Sequence, residues 1–379
     1  MELRITVSEL IRALTTLQGV VQRKNTMPIL SNVLLEAAVD SVGVQQLTLS
    51  ATDLDIGVRM TKACELLETG SITVSARALL DIVKMLPGPQ VTLKSLPNEH
   101  LNIKSGKTNA RLMALSAEEF PRLLDIKGTL FTQIETNLFV SLIHKTLYST
   151  SIDENRYNLT GVYLEPQQGN SNKTIFVSTD GHRLSRIETM LSKEPLQFEQ
   201  PIILPRKGLV EMLRVLESVQ ASENSKFNFG VSGNQAIVCV DNTILTMRLI
   251  DGKFPDYQQV IPKLSDKIMR ASRSDFLTSL RRVSVLSSDK TQSVKLKLRK
   301  DELTVSCVNP EAGEVSDDVI IEYNGPDIEI GFNARYIIDA LSSLSDSNVM
   351  MKFTDPLSPA LLTGANEENH LCVIMPMRM

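Results

Sequence analysis

One segment occurs three times along this chain, and the repeat limits the possible folds more than any single residue does. The copies read VSARALLDIVKML, LPRKGLVEMLRVL and FNARYIIDALSSL, and they cover residues 74–86, 204–216 and 332–344. A cation stands at the same place in each copy: Arg77, Lys207 and Arg335, which are 130 (207 − 77) and 128 (335 − 207) residues apart. This period is too long for a solenoid, so the sequence predicts three copies of one domain of roughly 125 residues.

Each copy has the apolar spacing of an amphipathic helix. Apolar residues recur at i, i+3, i+4 and i+7, which is one face of an α-helix. The predicted stripes are Leu79, Ile82, Val83 and Leu86, then Leu209, Met212, Leu213 and Leu216, then Ile337, Ala340, Leu341 and Leu344. Arg77 and Lys84 lie nearly opposite the first stripe, and Lys207 and Arg214 lie opposite the second. The free face is therefore either a cationic surface or an ordinary solvated face, because Asp81 and Glu211 lie close by.

A second predicted helix opens each repeat, with Ser8, Thr136 and Ser274 as the expected N-caps. Short alternating segments between the helices predict antiparallel strands. A proline closes each repeat, in Phe120-Pro121, Phe254-Pro255 and Met375-Pro376. We therefore expect an α+β protein of three domains, 1–128, 129–262 and 263–379, each with two helices packed on antiparallel sheets.

Composition narrows the classes of function. The chain has 379 residues and a net charge of −4, so it lacks the bulk basicity of proteins that bind nucleic acid by global attraction. Its four cysteines form no CxxC pair, which favours a reducing cytoplasm over a zinc site or a disulfide framework. We find no signal segment and no membrane-spanning run. Neither a cofactor nor a metal is expected, because no phosphate loop, nucleophile elbow or HExxH motif is present.

One histidine has a setting that could support catalysis. Asp180 precedes His182 by two residues and could orient it as a general base. The first repeat has Thr52-Asp53 at the corresponding place but no histidine. A shared Thr-Asp pair indicates a turn that is held by its own side chains. An enzyme that uses Asp180 and His182 therefore stays the weaker hypothesis.

Several motifs resemble a known family. They are the TDGHRL stretch at 179–184, PRKG at 205–208, DGKFPDY at 251–257 and the terminal MPMRM at 375–379, with MPIL at 27–30 and GFN at 331–333. In this order they resemble the bacterial DNA polymerase III β subunits, the β sliding clamps. The resemblance covers the chain from end to end.

The resemblance implies a ring that closes as a head-to-tail homodimer and encircles duplex DNA without reading its sequence. Such a clamp tethers the replicative polymerase and is not an enzyme. The helices would line the ring, and phosphate contacts made by a few mobile cations would permit sliding. The residues expected to face DNA are Lys24, Arg77, Lys84, Lys145, Arg156, Tyr157, Arg206, Lys207 and Arg214.

The resemblance also implies a pocket for a short peptide of the Gln-Leu-X-Leu-Phe kind, carried by polymerase subunits, the clamp loader and repair proteins. Flexible methionines and apolar walls suit such anchors. The expected pocket residues are Leu159, Thr179, Gly181, His182, Arg183, Leu184, Pro255, Val260, Tyr336, Leu357, Val373, Ile374, Met375, Pro376, Met377 and Arg378.

Ring closure needs complementary ends. A basic stretch in the first repeat would meet an acidic stretch in the third, with Val285 and Leu286 as an apolar centre. The expected interface residues are Lys104, Lys107, Val285, Leu286, Glu311, Glu314 and Asp317, with Arg111 and Asp318 beside them. The main alternative is a scaffold of the same fold that docks peptides without encircling DNA.

Overall fold

A computed structural model describes residues 1–21, 27–167, 173–219, 225–263, 266–287 and 292–378. The α-helices are α1 (Val7–Leu17), α2 (Ala76–Lys84), α3 (Thr136–Leu147), α4 (Arg206–Val219), α5 (Arg273–Ser284) and α6 (Ala334–Ser343). Short 3-10 helices cover Pro28–Ser31, Ala117–Glu119, Glu154–Leu159 and Tyr257–Val260. No helix in the described ranges is long and apolar enough to cross a membrane.

The strands follow the same order in each repeat, except that the first repeat has one additional short strand among the described residues. In the first repeat they are β1 (Glu2–Thr6), β2 (Asn32–Val39), β3 (Gln45–Thr52), β4 (Ile56–Ala63), β5 (Glu65–Glu68), β6 (Gly70–Ser75), β7 (Gln90–Leu96), β8 (His100–Ser105) and β9 (Thr108–Leu115). The second has β10 (Phe131–Glu135), β11 (Gly161–Pro166), β12 (Lys173–Thr179), β13 (Arg183–Met190), β14 (Ile202–Pro205), β15 (Lys226–Ser232), β16 (Gln235–Val240) and β17 (Thr243–Arg248). The third has β18 (Lys267–Ser272), β19 (Ser293–Arg299), β20 (Glu302–Asn309), β21 (Gly313–Glu322), β22 (Ile328–Asn333), β23 (Asn348–Phe353), β24 (Ala360–Gly364) and β25 (His370–Ile374). These elements confirm the predicted mixture of helices and antiparallel strands.

Residue contacts divide the chain into two compact units. The first comprises Met1–Asn137, Glu194–Phe198 and Lys207–Leu249, and the second comprises Leu138–Lys193, Glu199–Arg206 and Ile250–Met379. Each unit contains one antiparallel sheet. The strand order is β10-β15-β16-β17-β4-β3-β2-β6-β9-β8-β7-β1-β5 in the first unit and β14-β11-β12-β13-β25-β24-β23-β18-β21-β20-β19-β22 in the second. The strands of the middle repeat are thus shared between the two sheets, and the predicted domain boundaries stay a prediction.

Two strand pairs join one repeat to the next, and they have the same register. In the first unit β17 pairs with β4, with Met247 opposite Ile56. In the second unit β25 pairs with β13, with Ile374 opposite Arg183. Each residue of the second pair comes 127 positions after its counterpart in the first pair (183 − 56 and 374 − 247). The backbone therefore continues each sheet across a repeat boundary by one repeated arrangement.

The helices pack their apolar faces onto these sheets. In the third repeat, Phe276, Leu280 and Val283 of α5 lie in one buried core with Ile337 and Leu341 of α6. In the second unit α3 likewise brings Phe139 edge-on to Phe176, at 5.7 Å between ring centroids. Burial of this apolar surface is the main favourable term that holds each helix on its sheet.

The stripe predicted for α2 is displaced by three residues from the observed one. The helix buries Leu79, Leu80 and Val83, whereas Ile82 and Leu86 are only partly buried. These buried positions, with Ala76, still follow the i, i+3, i+4, i+7 spacing, because the whole set is rotated about the helix axis.

None of the three predicted N-caps is the residue that directly precedes its helix. Thr6 caps α1 by accepting a hydrogen bond from the Glu9 amide at 3.3 Å, and Ser272 caps α5. Ser8 and Ser274 lie inside the first turn of these helices. In both places a strand runs directly into the helix, so its last residue already has the extended backbone that a cap requires. Thr136 is the first residue of α3 rather than the residue before it.

In the first unit, a buried carboxylate anchors the second helix of the middle repeat. Lys207 of α4 forms an ion pair with Asp53, whose side chain is 1% exposed. Arg77 occupies the same repeat position in α2, but its guanidinium is 76% exposed and lies 3.7 Å from the exposed Asp81. The same repeat position therefore carries a structural cation in α4 and a surface cation in α2.

We expect Lys207→Ala to lower the free energy of unfolding by about 2 kcal/mol, because it leaves the buried Asp53 carboxylate without its countercharge. Arg77→Ala is the matched control and should change stability by less than about 0.5 kcal/mol, since exposed ion pairs contribute little. Urea denaturation of the two variants measures both values. Equal losses would contradict the structural role of Lys207.

Candidate functional site

The second unit contains an apolar cavity of about 170 Å³. A hairpin turn, the 3-10 helix Tyr257–Val260 and strand β25 form its walls. The lining residues are Leu159, Thr179, Gly181, Arg183, Leu184, Pro255, Asp256, Tyr257, Val260, Val373 and Met375. Val260 and Met375 are exposed at 43% and 38%, whereas Leu159, Leu184 and Val373 are buried. A cavity of this size, with apolar walls and a methionine at its exposed side, can take one or two apolar side chains.

The hairpin turn between β12 and β13 is held by its own side chains. The Thr179 hydroxyl donates to the Arg183 carbonyl at 2.7 Å and accepts from the Gly181 amide at 3.1 Å. The Asp180 carboxylate accepts from the His182 amide at 2.9 Å. Gly181 has a φ of +88°, the left-handed region that favours glycine. The turn therefore has the self-capped form predicted from the shared Thr-Asp pair.

The same contacts remove the basis for a catalytic dyad. Asp180 binds backbone amides and the Arg183 guanidinium rather than the His182 ring. The exposed His182 ring instead lies parallel to the Tyr336 ring, at 6.3 Å between centroids. Among the described residues, no three His, Cys, Asp or Glu side chains gather in a way that could hold a metal ion.

Arg183 fixes one wall of the cavity. Its guanidinium binds Asp180 at 3.0 Å and Asp339 at 2.6 Å, and it donates to the Tyr148 carbonyl at 2.7 Å. It also lies over the Tyr336 ring, 4.6 Å from the centroid. Burial alone would lower the pKa of Arg183, but the two carboxylates raise it. The side chain is thus a fixed cation with little freedom to move.

The opposite wall rests on an aromatic cluster. Tyr163 stacks on Phe254 at 4.8 Å, and the Tyr257 hydroxyl donates to Glu165 at 2.9 Å. Burial raises the pKa of Tyr257, and the bond to Glu165 adds to this effect. Sequence reasoning missed Asp256 and Tyr257 as lining residues. The signal was present, since both belong to the DGKFPDY stretch, which continues past Pro255.

Only some of the residues predicted for the peptide pocket line the apolar cavity. The predicted residues that line the cavity are Leu159, Thr179, Gly181, Arg183, Leu184, Pro255, Val260, Val373 and Met375. Those outside its lining are His182, Tyr336, Leu357, Ile374, Pro376, Met377 and Arg378. Ile374 is fully buried in the sheet, and Leu357 is 72% exposed. Met377 forms an isolated bridge with Gly331, which places the tail against β22.

The cations predicted to face DNA have different environments. Lys24 lies outside the described residues. Arg77 and Lys84 are exposed, as are Arg156 and Tyr157 of the 3-10 helix Glu154–Leu159. Arg156 lies 3.2 Å from Asp153.

The others have protein partners. Lys145 forms an ion pair with Glu367, and both side chains are mostly buried. Arg214 binds Glu211 at 3.1 Å. Burial raises the pKa of Glu211 despite the nearby cations. Lys207 binds Asp53, and Arg206 binds neutral groups.

The predicted interface residues lie mainly on the surface. Lys104 is an exposed residue near the end of β8, and Lys107 lies in the β8–β9 turn. Val285 is 79% exposed and Leu286 is half-buried. Glu311 and Glu314 are exposed around the β20–β21 turn, while Asp317 accepts a hydrogen bond from Arg282 at 2.6 Å.

A buried histidine lies beside the Lys145–Glu367 pair. The His370 ring nitrogen Nε2 is 3.0 Å from the Ser185 hydroxyl, which itself donates to the Lys145 carbonyl. Nε2 must therefore carry the proton. Nδ1 has no hydrogen-bond partner among the described residues. Burial and, to a smaller extent, the Lys145 ammonium lower the pKa of His370 to about 4, although the Glu367 carboxylate acts in the opposite direction.

This histidine should make stability depend on pH. An unfolded histidine titrates near pH 6.5, so between about pH 6.5 and 4 the unfolded chain binds the additional proton. The contribution of His370 to the free energy of unfolding is therefore fully present above about pH 6.5. It decreases by roughly 3 kcal/mol as the pH approaches 4. Urea unfolding across this range measures the slope, and His370→Gln should flatten it. An unchanged slope in that variant would contradict this assignment.

Comparisons with known proteins agree over the whole chain. Family models of the DNA polymerase III beta subunit match residues 1–125 (N-terminal domain), 133–256 (central domain) and 258–378 (C-terminal domain). The beta sliding clamp of Caulobacter vibrioides is 35% identical over 389 residues and covers 100% of both chains. That of Pseudomonas putida is 34% identical and covers 98% of both.

Solved structures show the same fold. The DNA polymerase sliding clamp from Caulobacter crescentus superposes with a TM-score of 0.91 at 34% identity, covering 100% of both chains. A sliding clamp from Bartonella birtlesii, solved bound to griselimycin, superposes with a TM-score of 0.93 at 31% identity, again over 100% of both chains.

The repeated sheets and the full-length matches define a non-catalytic processivity factor, a DNA sliding clamp of replication. The chain belongs to the family of DNA polymerase III beta subunits, the beta sliding clamps. The scaffold that does not encircle DNA is accordingly not favoured, nor is the enzyme.

Proposed function

We propose that two copies of this chain close head to tail into a ring around duplex DNA, and that the apolar cavity docks a short peptide of the polymerase and other replication and repair partners. The single observation that carries ring closure is a pair of free strand edges with complementary charge. The apolar cavity supports peptide docking. We place the protein in the cytoplasm, where its four unpaired cysteines stay reduced.

Strands β9 and β21 each offer an edge for pairing. β9 pairs with β6 only near its end, at Leu115 and Ala114. β21 pairs with β18 only at Glu322 and Ile321. In the described part of the chain, 108–113 and 313–320 are thus paired on one side only. Free edges of this kind invite pairing with another strand.

The repeat predicts how these edges would meet, because each corresponds to a strand that already joins two repeats. β21 corresponds to β4. Asp53 and Asn309 both accept a hydrogen bond from the amide two residues further on. The residues two positions before them, Ala51 and Cys307, are buried and lie opposite Val58 and Val315. Val315 therefore takes the place of Val58.

β9 corresponds to β17. Both follow a two-residue turn, so Thr108 takes the place of Thr243. The burial patterns of the two strands agree in this alignment. Ala110 and Leu112, which are partly buried between exposed neighbours, align with the buried Leu245 and Met247.

Transferring the register of β17 on β4 places Ala110 of one protomer opposite Val315 of its partner, because Leu245 lies opposite Val58. Arg111 then lies opposite Glu314, and Asn109 lies opposite Ser316. Opposite charges directly across an antiparallel pair are favourable. In this register Arg111 of the predicted basic stretch thus lies opposite Glu314 of the predicted acidic stretch.

We expect the double variant Asn109→Cys, Ser316→Cys to form covalent dimers on mild oxidation, because residues directly opposite have Cβ atoms near disulfide distance. Asn109→Cys, Asp317→Cys is the matched control, since a shift by one residue moves a side chain to the other face. Non-reducing electrophoresis reads out the yield, with the native cysteines alone as background. Equal yields from both variants would refute this register.

We assign DNA contact to the exposed candidates Arg77, Lys84, Arg156 and Tyr157. We do not assign DNA contact to Lys145, Lys207 and Arg214, which pair with carboxylates, or to Arg206, which donates to neutral groups. A small set of exposed cations suits a ring that holds DNA by topology, because each phosphate contact must break during sliding.

Docking should depend on the exposed residues of the cavity. A labelled Gln-Leu-X-Leu-Phe peptide should bind saturably, and Val260→Asp should weaken it at least tenfold by placing a charge in the apolar cavity. Val42→Asp is the control, because Val42 is 80% exposed and lies outside the cavity lining. Fluorescence polarisation measures both. Griselimycin, which the clamp from Bartonella birtlesii binds, should displace the peptide. Equal affinity in the two variants would overturn the assignment.

A further inference from the structure

A second, polar cavity of about 540 Å³ adjoins the apolar one in the same unit. Arg183 lines both cavities, and Asp180 and His182 of the hairpin turn belong to the polar one. A ligand anchored in the apolar cavity can therefore reach the polar one across the turn.

The polar cavity contains one more cation than anion. Its arginines are Arg156, Arg183, Arg206 and Arg335, and its acids are Asp153, Asp180 and Asp339. Each acid has its own arginine within ion-pair distance: Asp153 has Arg156 at 3.2 Å, Asp180 has Arg183 at 3.0 Å, and Asp339 has Arg335 at 3.9 Å. Asp339 also binds Arg183, at 2.6 Å.

Arg206 is the arginine left over. Its Nη1 donates to the Leu147 carbonyl and to the Thr150 hydroxyl, both at 2.6 Å, and both acceptors are neutral. Within the described residues no carboxylate lies within ion-pair distance of it. Burial lowers the pKa of Arg206, and repulsion from Arg183 lowers it further. A half-buried cation without a countercharge stabilises an incoming anion, since that anion offsets the cost of desolvation.

We propose that this polar cavity binds a carboxylate carried by the docking peptide next to its apolar anchor, and that Arg206 is the specificity-determining residue for it. The proposal rests on peptide docking in the apolar cavity. One carboxylate balances the one uncompensated charge, and a guanidinium fork suits its planar geometry.

A polyanion fits this cavity less well. Asp153, Asp180 and Asp339 line the same space and would repel the dense charge of a phosphate chain. A peptide carboxylate brings a single charge together with its own anchor. We therefore favour an acidic peptide over nucleic acid as the occupant.

The test is a double-mutant cycle between protein and peptide. Neutral Gln-Leu-X-Leu-Phe peptides with a Gln on either flank are compared with peptides that carry Glu at the same place. We expect Glu on one flank to tighten binding about tenfold, the scale of one charge-assisted hydrogen bond. Arg206→Gln should abolish this gain and leave the affinity for the neutral peptide unchanged. Arg206→Lys should keep part of it.

The outcomes separate the two proposals. Failure of the neutral peptide to bind the wild-type protein overturns peptide docking and this inference with it. Binding of the neutral peptide without any gain from Glu overturns this inference alone, as does a gain that survives in Arg206→Gln. Binding of labelled oligothymidylate that depends on Arg206, with no gain from Glu, would assign the cavity to nucleic-acid phosphate instead. Thermal melting of Arg206→Gln checks that the fold is intact.

Discussion

The structure depends on backbone hydrogen-bond ladders that pass from one repeat to the next. β17 on β4 and β25 on β13 share one register, so the same two strands meet in the same way at both places. A slip by one residue would turn each buried side chain to the wrong face. The position of the hairpin turn beside β25, and hence of the apolar cavity, follows from that register. The free edges of β9 and β21 are the parts of this arrangement that a single copy cannot pair.

The two repeat junctions differ in their side chains, and this explains why a cavity opens at one of them. Gly57 and Thr246 correspond to the lining residues Leu184 and Val373, each 127 residues further on (184 − 57 and 373 − 246). A Cβ on Gly57 would lie 2.8 Å from Cδ2 of Leu123, so Leu123 occupies this place in the first unit. Leu54, with a φ of +80°, stands where the second junction has Gly181. The chain's own leucine thus fills the space that stays open to a ligand in the second unit.

The sequence predicts the elements better than it predicts the partners of their side chains. Periodicity locates the helices because one face of each must be buried. The same pattern recurs in all three repeats, so each predicted helix is supported by the other two. It does not locate the caps, since Thr6 and Ser8 are chemically alike and only the end of β1 decides between them. Pocket residues such as Thr179 and Val373 follow from motifs of the family. The proline of the DGKFPDY stretch predicts the end of a repeat, and this interpretation does not include the part of Tyr257 in the cavity wall.

Cations show the same limit most clearly. Arg77 and Lys207 occupy one repeat position, yet one is exposed and the other neutralises the buried Asp53. Lys145 is among the residues expected to face DNA but has Glu367 as its partner, 222 residues away in the chain. No local pattern contains that information, because it depends on where a distant carboxylate folds. An acidic chain can still bind DNA, because a few cations without such partners are sufficient for phosphate contacts. A ring needs no more than these, since topology holds the duplex and weak contacts let it slide.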